Sequence, residues 1–374
     1  MDGTASGDKR QRFLHLYKGG RISGGSRGRR EITRVRIGPR VKYIRYGTFN
    51  GCINLAEVQF SYGLKVIEDR SFLKCKALQQ VTIPSTVTRL GHEAFRRCTN
   101  LTQVHFNESL RSIGDSAFRD CKSLQQVTIP SSVTKLGDGL FRNCCKLTKV
   151  HFNDGLQIIE SGAFYGCKAL QHVAIPSSVT KLGRFAFGGC TNLAEVIVLR
   201  GNRFINQEFI DHGLFSGEGA LNKKRVKKLI SVKTLRDCPL TTLKISIPPA
   251  LSLRMARLPQ EYRLSVEGRI HDMRRLELTA DGTILACFPI VRRLDVEDTD
   301  NQTTESLHEV LRLIPFYELK ESSILIELAM WKSRLDGDRA RADCRIAVPD
   351  PAKSLIMEYC GFTKLLEPAI EGAQ

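Results

Sequence analysis

The sequence predicts a repeat solenoid, in which parallel β-strands stack at a 23-residue period and helices cap the C-terminus. Three observations predict it. Cysteines recur at Cys52, Cys75, Cys98, Cys121, Cys144, Cys167 and Cys190, each 23 residues after the last. Phe49, Phe72, Phe95, Phe118, Phe141, Phe164 and Phe187 keep the same interval, always three residues ahead of the cysteine. Leu55, Leu78, Leu101, Leu124, Leu147, Leu170 and Leu193 follow it by three. Three residue types locked in register over seven copies mark a tandem repeat.

The first element is residues 1–31. Residues 9–30 mix Gly, Ser and Arg with few apolar side chains, which predicts a disordered basic tail.

The regular repeats occupy 32–200. Within a unit such as Leu78-Gln79-Gln80-Val81-Thr82-Ile83, the alternation puts Val81 and Ile83 on one face and Gln80 and Thr82 on the other, as a strand requires. Pro84 halts the strand because it offers no N–H. The return segment points Val87, Leu90, Phe95 and Cys98 back inside. Gly91, Gly114, Gly137 and Gly183 fall at its bend, where a positive φ is expected. One unit cannot bury this stripe alone, but stacked copies can. Units with His105-Phe106-Asn107 or His151-Phe152-Asn153 alternate with units holding Ile83-Pro84, Ile129-Pro130 and Ile175-Pro176, which makes a 46-residue superperiod.

The consensus C-x-x-L-x-x-V-x-I-P-x-x-V-x-x-L-G-x-x-A-F-x-x-C resembles the BspA-type leucine-rich repeat family, most strongly over 32–200. The resemblance implies a leucine-rich repeat solenoid that recognises protein, with no catalytic residues.

Residues 201–300 read as degenerate coils with a basic insertion. Ile230, Leu235 and Cys238 keep the repeat's relative spacings. Leu240-x-x-Leu243-x-Ile245, Met273-x-x-Leu276-x-Leu278 and Val291-x-x-Leu294-x-Val296 repeat the strand signature. The segment 301–374 reads as a helical cap. Leu307, Val310, Leu311 and Ile314 have helical spacing and stop at Pro315. Ile324, Leu325, Leu328, Trp331 and Leu335 form a second helical face, and Asp350-Pro351 starts a third helix.

Composition limits the function. Hydrophobic residues are 42% and charged residues 26% of the 374, as in a core-forming soluble chain. No run approaches the roughly 18 apolar residues of a membrane span. Phe13–Tyr17 is too short an apolar stretch for a secretory signal, so the expected location is intracellular, cytoplasmic rather than nuclear. The net charge of +18 is concentrated, with +10 in residues 1–45 and +7 in 223–236. A nearly neutral body thus carries two basic clusters.

The search for chemistry returns little. Without a signal for an oxidising compartment, and with no C-x-x-C pair, the cysteines read as small apolar fillers of the inner corner. His105 and His151 lie two coils apart, roughly 9.6 Å by strand spacing, beyond a shared metal. His151 and His172 are on adjacent coils, yet read as a hydrated surface. Gly24-Gly25-Ser26-Arg27-Gly28 matches a nucleophile elbow in letters only, because its flanks are Gly- and Arg-rich. Glu93 with Asp115 reads as solvated carboxylates. The expectation is a monomeric non-enzyme with no metal and no cofactor.

The outward strand positions carry the functional expectation. Gln80, Thr82, Gln103, His105, Gln126, Thr128, Lys149, His151 and His172 form a broad donor and acceptor surface with few fixed charges, suited to a protein or peptide partner. The alternative is a nuclear or nucleic-acid-associated adaptor acting through the basic clusters of residues 9–45 and 223–236, the second of which holds Lys223, Lys224, Arg225, Lys227 and Lys228. That cluster lacks the interleaved aromatics of a base-stacking surface.

Overall fold

The computed structural model describes residues 14–20, 22, 25–201, 204–205, 220–230, 233–247, 249–291, 295–296 and 301–337. Three hydrogen-bonded ladders run along the stack of coils. The first joins parallel strands such as Gln80–Thr82, Gln103–His105, Gln126–Thr128 and Lys149–His151, with pairs formed between equivalents 23 positions apart. The second joins two-residue strands, from Tyr43–Ile44 to Ser112–Ile113 and from Lys135–Leu136 to Lys181–Leu182.

The third ladder is made of turns. Gly47, Arg70, Glu93, Ser116, Gly139, Gly162 and Phe185, one per coil, hold φ between 51° and 61°. After this left-handed step, alternate N–H groups reach the next coil: Arg70 donates to His92 O, Phe72 to Ala94 O and Lys74 to Arg96 O, each at 2.8 Å. The glycines expected to hold the positive φ do something else. Gly91, Gly114, Gly137 and Gly183 have no positive φ. A Cβ on Gly114 would instead lie 2.5 Å from the backbone nitrogen of His92. Close approach of successive coils, rather than handedness, demands glycine there.

The interior stacks like on like. Phe49 through Phe187 are fully buried, and neighbouring rings lie 5.1 to 5.6 Å apart, within 17° of parallel. The cysteines do more than fill space. From Cys75 to Cys190 each repeat thiol donates to the phenylalanine carbonyl of the preceding coil, as Cys98 Sγ does to Phe72 O and Cys121 Sγ to Phe95 O, both at 3.2 Å. Burial pushes the Cys75, Cys98, Cys121 and Cys144 thiols well above their ordinary pKa. The superperiod also has a cause. Phe106 meets Phe118 edge-on at 5.5 Å, while Asn107 Nδ2 donates to Pro84 O at 2.6 Å. Phe152 and Asn153 repeat both contacts two coils later. The Phe-Asn unit thus clamps the Ile-Pro unit before it.

The N-terminal end departs from the expected disordered tail. Leu14–Tyr17 is a strand parallel to Arg34–Ile37, and Gly25–Glu31 is a helix. Tyr17 is buried, with its ring edge-on to Phe49 at 5.2 Å. Arg29 Nη1 donates to the carbonyls of Gly47, Thr48 and Asn50. Thr48 and Asn50 occupy the acceptor positions of the third ladder, equivalent to Ser71 and Leu73, and among the described residues no backbone N–H of an earlier coil serves them. A basic residue here closes a backbone edge, which composition alone could not reveal.

At the other end one further coil follows the insertion. Phe187 N–H donates to Thr234 O, Cys238 Sγ donates to Phe187 O at 3.0 Å, and Val196 pairs with Leu243. The relative spacing of Leu235, Cys238, Leu243 and Ile245 therefore did mark a coil. Leu276-x-Leu278 did not: Leu276–Leu278 runs antiparallel to Ile284–Val291, which runs antiparallel to Thr242–Ser246. The motif at Val291 to Val296 belongs to an antiparallel pair as well. Helices Pro249–Arg257 and Gln260–Asp272 occupy the chain between these strands.

The helix Gln302–Gly337 buries Leu307, Val310 and Ile314 but continues through Pro315. Proline removes one N–H and crowds the carbonyl four residues back, a local cost that the buried face of a long helix outweighs. Its side chains beyond Ser322, and the predicted helix at Asp350-Pro351, lie outside the described residues.

Candidate functional site

The polar face of the first ladder divides into a middle and two flanks. In the middle, the strands Gln80–Thr82, Gln103–His105, Gln126–Thr128 and Lys149–His151 form one four-stranded sheet. Their valines are buried, so the residues on either side of each valine face outward. Register then builds two rows. One row is Gln80, Gln103, Gln126 and Lys149, and the other contains the pairs Thr82 with His105 and Thr128 with His151. Gln103 is half-buried and the others are exposed. Within the described residues none of these eight side chains makes a hydrogen bond or an ion pair. Between them lies a shallow depression of about 220 Å³, walled by His105, Phe106, Glu108, Thr128, Pro130 and His151.

Both flanks are internally paired. Towards the N-terminus, Arg34 Nε donates to Glu57 Oε2 at 2.8 Å, and Gln59 Nε2 donates to Glu57 Oε1 at 2.7 Å. Towards the C-terminus a chain of charges crosses four strands. His172 Nδ1 lies 2.8 Å from Glu195 Oε2, and Lys244 Nζ lies 2.5 Å from both Glu195 Oε1 and Glu277 Oε2. Burial would raise the Glu195 pKa, but hydrogen bonds and charge from Lys244 and His172 outweigh it and hold it below the usual glutamate value. Burial likewise opposes the Lys244 ammonium, and Glu195 and Glu277 overcome it.

The structure therefore brings together eight of the nine predicted face residues and ties the ninth, His172, into a flank. The sequence reading missed that chain. Its signal was Glu195, a carboxylate at an outward strand position beside a histidine one repeat back.

The basic cluster lies elsewhere. Lys223–Leu229 is a helix capped by Asn222, whose side chain accepts from the Arg225 N–H at 3.1 Å. Val226 and Leu229 are buried, and Lys223, Lys224, Arg225, Lys227 and Lys228 are exposed. A cleft shared with Val179, Thr180 and Lys181 puts this helix beside the second ladder, away from the polar face.

One acid–base expectation changes. Glu93, read as solvated, is buried, with Arg70 Nε 2.7 Å away and Arg96 in contact. Burial raises its pKa, and the two arginines outweigh that to hold it below the usual range. The described cysteines are free thiols, and no group of three or more metal-ligating side chains assembles among the described residues. No helix among them is long and apolar enough to cross a membrane.

A family model described as a BspA type leucine rich repeat region matches in six copies, across residues 27–147, 114–213 and 139–247. No curated protein matches the chain. Among solved structures, a leucine-rich repeat protein of T. pallidum is 32% identical over 38% of this chain and 66% of that one, with a TM-score of 0.35. One from Bacteroides ovatus is 25% identical over 50% of this chain and 58% of its own, with a TM-score of 0.44. A leucine rich cell surface protein of Faecalibacterium prausnitzii is 27% identical over 44% and 59%, with a TM-score of 0.27. The chain thus spans less than two thirds of each.

Proposed function

Because the chain belongs to the BspA-type leucine-rich repeat family, we propose that it is a non-catalytic scaffold whose polar strand face receives a protein or peptide partner. One observation carries this reading. The two rows from Gln80 to His151 keep their hydrogen-bonding capacity unspent, while the flanks at Glu57 and Glu195 consume theirs internally.

Amides, hydroxyls and imidazoles repeated at roughly 4.8 Å suit a partner rich in uncharged donors and acceptors. Desolvating amides on both sides costs little when each finds a new hydrogen bond. A rigid ladder also loses little conformational entropy when a partner lands on it.

The test is affinity capture with the intact chain against a variant carrying Gln80→Glu, Gln103→Glu and Gln126→Glu. Three carboxylates in one row remove the amide donors and repel one another. Loss of a specific partner, with the variant's melting transition retained, is the expected result. An unchanged set of partners sinks the reading.

A further inference from the structure

A repeat lets each side chain be compared with its equivalents one coil away. Arg96, Arg119 and Arg142 occupy one position at 23-residue spacing, in the turn segments of the third ladder. Their counter-charges do not keep pace. Arg96 contacts Glu93 and lies 3.8 Å from Asp120. Arg119 has Asp120 alone, at 3.8 Å, and shares it with Arg96 and Arg97. Arg142 has no carboxylate within 4.0 Å among the described residues.

The sequence shows how this comes about. Where the first coil has Glu93, the next ones have Ser116, Gly139 and Gly162; the second coil's Asp120 gives way to Asn143 in the third. Asn143 even donates to Asp120, at 2.9 Å. Arginine is kept through three coils while the acids that neutralise it are dropped. An arginine held only for packing has no reason to shed its partners in order along the stack. Burial, then the charges of Arg96 and Arg142, lower the Arg119 pKa, as crowding of like charges should.

At the unneutralised end a groove of about 700 Å³ opens, lined by Arg119, Arg142, Arg184 and Arg236 together with Tyr165 and Phe185. The rings position guanidinium groups without cancelling their charge: Arg142 sits 4.6 Å over Tyr165, and Arg184 sits 4.8 Å over Phe185. The Nε atoms of Arg119 and Arg142 are buried and donate no hydrogen bond. Two carboxylates also line the groove, Asp138 and Asp237; both are exposed, and Asp237 lies 3.8 Å from Arg236. Four cations against two anions leave the lining at +2.

We propose that this groove binds a small polyanion, a ligand with two or more phosphate or carboxylate groups, held by Arg119 and Arg142 from adjacent coils and by Arg184 from the second coil beyond them. The guanidinium fork matches either oxyanion, and a groove of several hundred Å³ fits an organic ligand rather than a lone ion. The site is separate from the strand face and independent of the reading proposed for it.

The experiment is titration calorimetry on the full chain at about 0.15 M salt, where long-range attraction is screened. Pyrophosphate and citrate are the two probes. One-to-one binding of at least one probe is expected, and the tighter of the two assigns phosphate or carboxylate as the ligand group. Arg142→Gln and Arg184→Gln should each weaken binding by at least about tenfold, the worth of one charge-assisted hydrogen bond. Arg184→Gln tests the site without disturbing an ion pair, and the double change Lys224→Gln with Lys227→Gln should leave binding intact. Failure of both probes to bind overturns the proposal. So does equal binding by the arginine variants, or a loss that follows the basic helix instead.

Discussion

The coils and the ends that close them follow opposite rules. From Phe49 to Phe187 the same contacts recur coil after coil: ring stacks on equivalent ring, valine pairs with equivalent valine, and thiol meets phenylalanine carbonyl. At the ends the closing contacts are singular, each made once and mostly between unlike partners. Tyr17 meets Phe49 edge-on, Arg29 serves three carbonyls, and Arg254 forms a bidentate pair with Glu318. Self-similar packing lets one sequence unit be copied, because each copy supplies the surface that the next requires. It never supplies a last surface. Closing the stack takes residues with no counterpart elsewhere in the chain.

The sharpest way to break this comparison is to remove one ring from the column. Phe118 stacks between Phe95 and Phe141 and receives Phe106 edge-on. Phe118→Ala should cost about 3–5 kcal/mol in chemical denaturation. Hydrogen exchange should quicken in the coils on both sides. Phe288→Ala, at a fully buried position of the strand Ile284–Val291, empties a similar volume but should leave the Phe95 coil protected. Equal loosening of that coil by both variants would mean that the ends and the coils do not differ as argued.

Glycine offers a test by sign. In Gly114→Ala the new Cβ would meet the backbone of His92 and Gly91 at 2.5 and 2.6 Å, with no side chain to yield. Destabilisation of about 1–3 kcal/mol is expected, as for overpacking elsewhere. Gly268 lies inside the helix Gln260–Asp272 with nothing within 4 Å of a Cβ. Gly268→Ala should stabilise by about 0.5–1 kcal/mol through helix propensity. Thermal melts of the two variants should move in opposite directions.

Arg29→Met tests the N-terminal closure. It keeps an unbranched apolar stem and strips the carbonyls of Thr48 and Asn50 of their donor. A cost of about 1–2 kcal/mol is expected, the lower part of the range for an unsatisfied group because water can reach an end. Exchange should quicken first at Phe49 and Gly51.

How far the sequence could be read follows the same division. Phe, Cys and Leu at one interval revealed the coils, because equal spacing in sequence became equal spacing along the stack. The two rows of the candidate face were readable for the same reason: the residues flanking each buried valine had to point out. Leu276-x-Leu278 was misread because alternation reports which face a residue takes and says nothing of strand direction. The N-terminal strand was missed because Leu14 pairs with Arg34, 20 residues on, outside the 23-residue register. The arginines at 96, 119 and 142 stood in register from the start. Their missing acids became visible only once coils were stacked and counter-charges measured.

The smallest effect is expected where the two rules meet. Glu195 belongs to the coils, Lys244 to the last coil and Glu277 to the closing strands, so their ion pairs join one regime to the other. The Glu195 pKa is lower in the fold than in the unfolded chain, so unfolding takes up protons in acid. Its contribution is therefore complete above the ordinary glutamate pKa and fades as pH falls through the lowered value. Lys244 has the opposite sign: its raised pKa gives stability present below the ordinary lysine value and lost as pH rises through the raised one. Glu195→Gln keeps the shape and removes the charge, so it should flatten the acid limb of the stability profile at a cost at neutral pH below about 1 kcal/mol, as for other partly exposed pairs. Glu57 at the opposite flank has a lowered pKa too, set first by Gln59 and then by Arg34, but it joins coil to coil, and Glu57→Gln is the matching change. Exchange rates in the strand Leu276–Leu278 should respond to the first change and ignore the second; a response to both would mean that the closing strands share the stability of the whole stack.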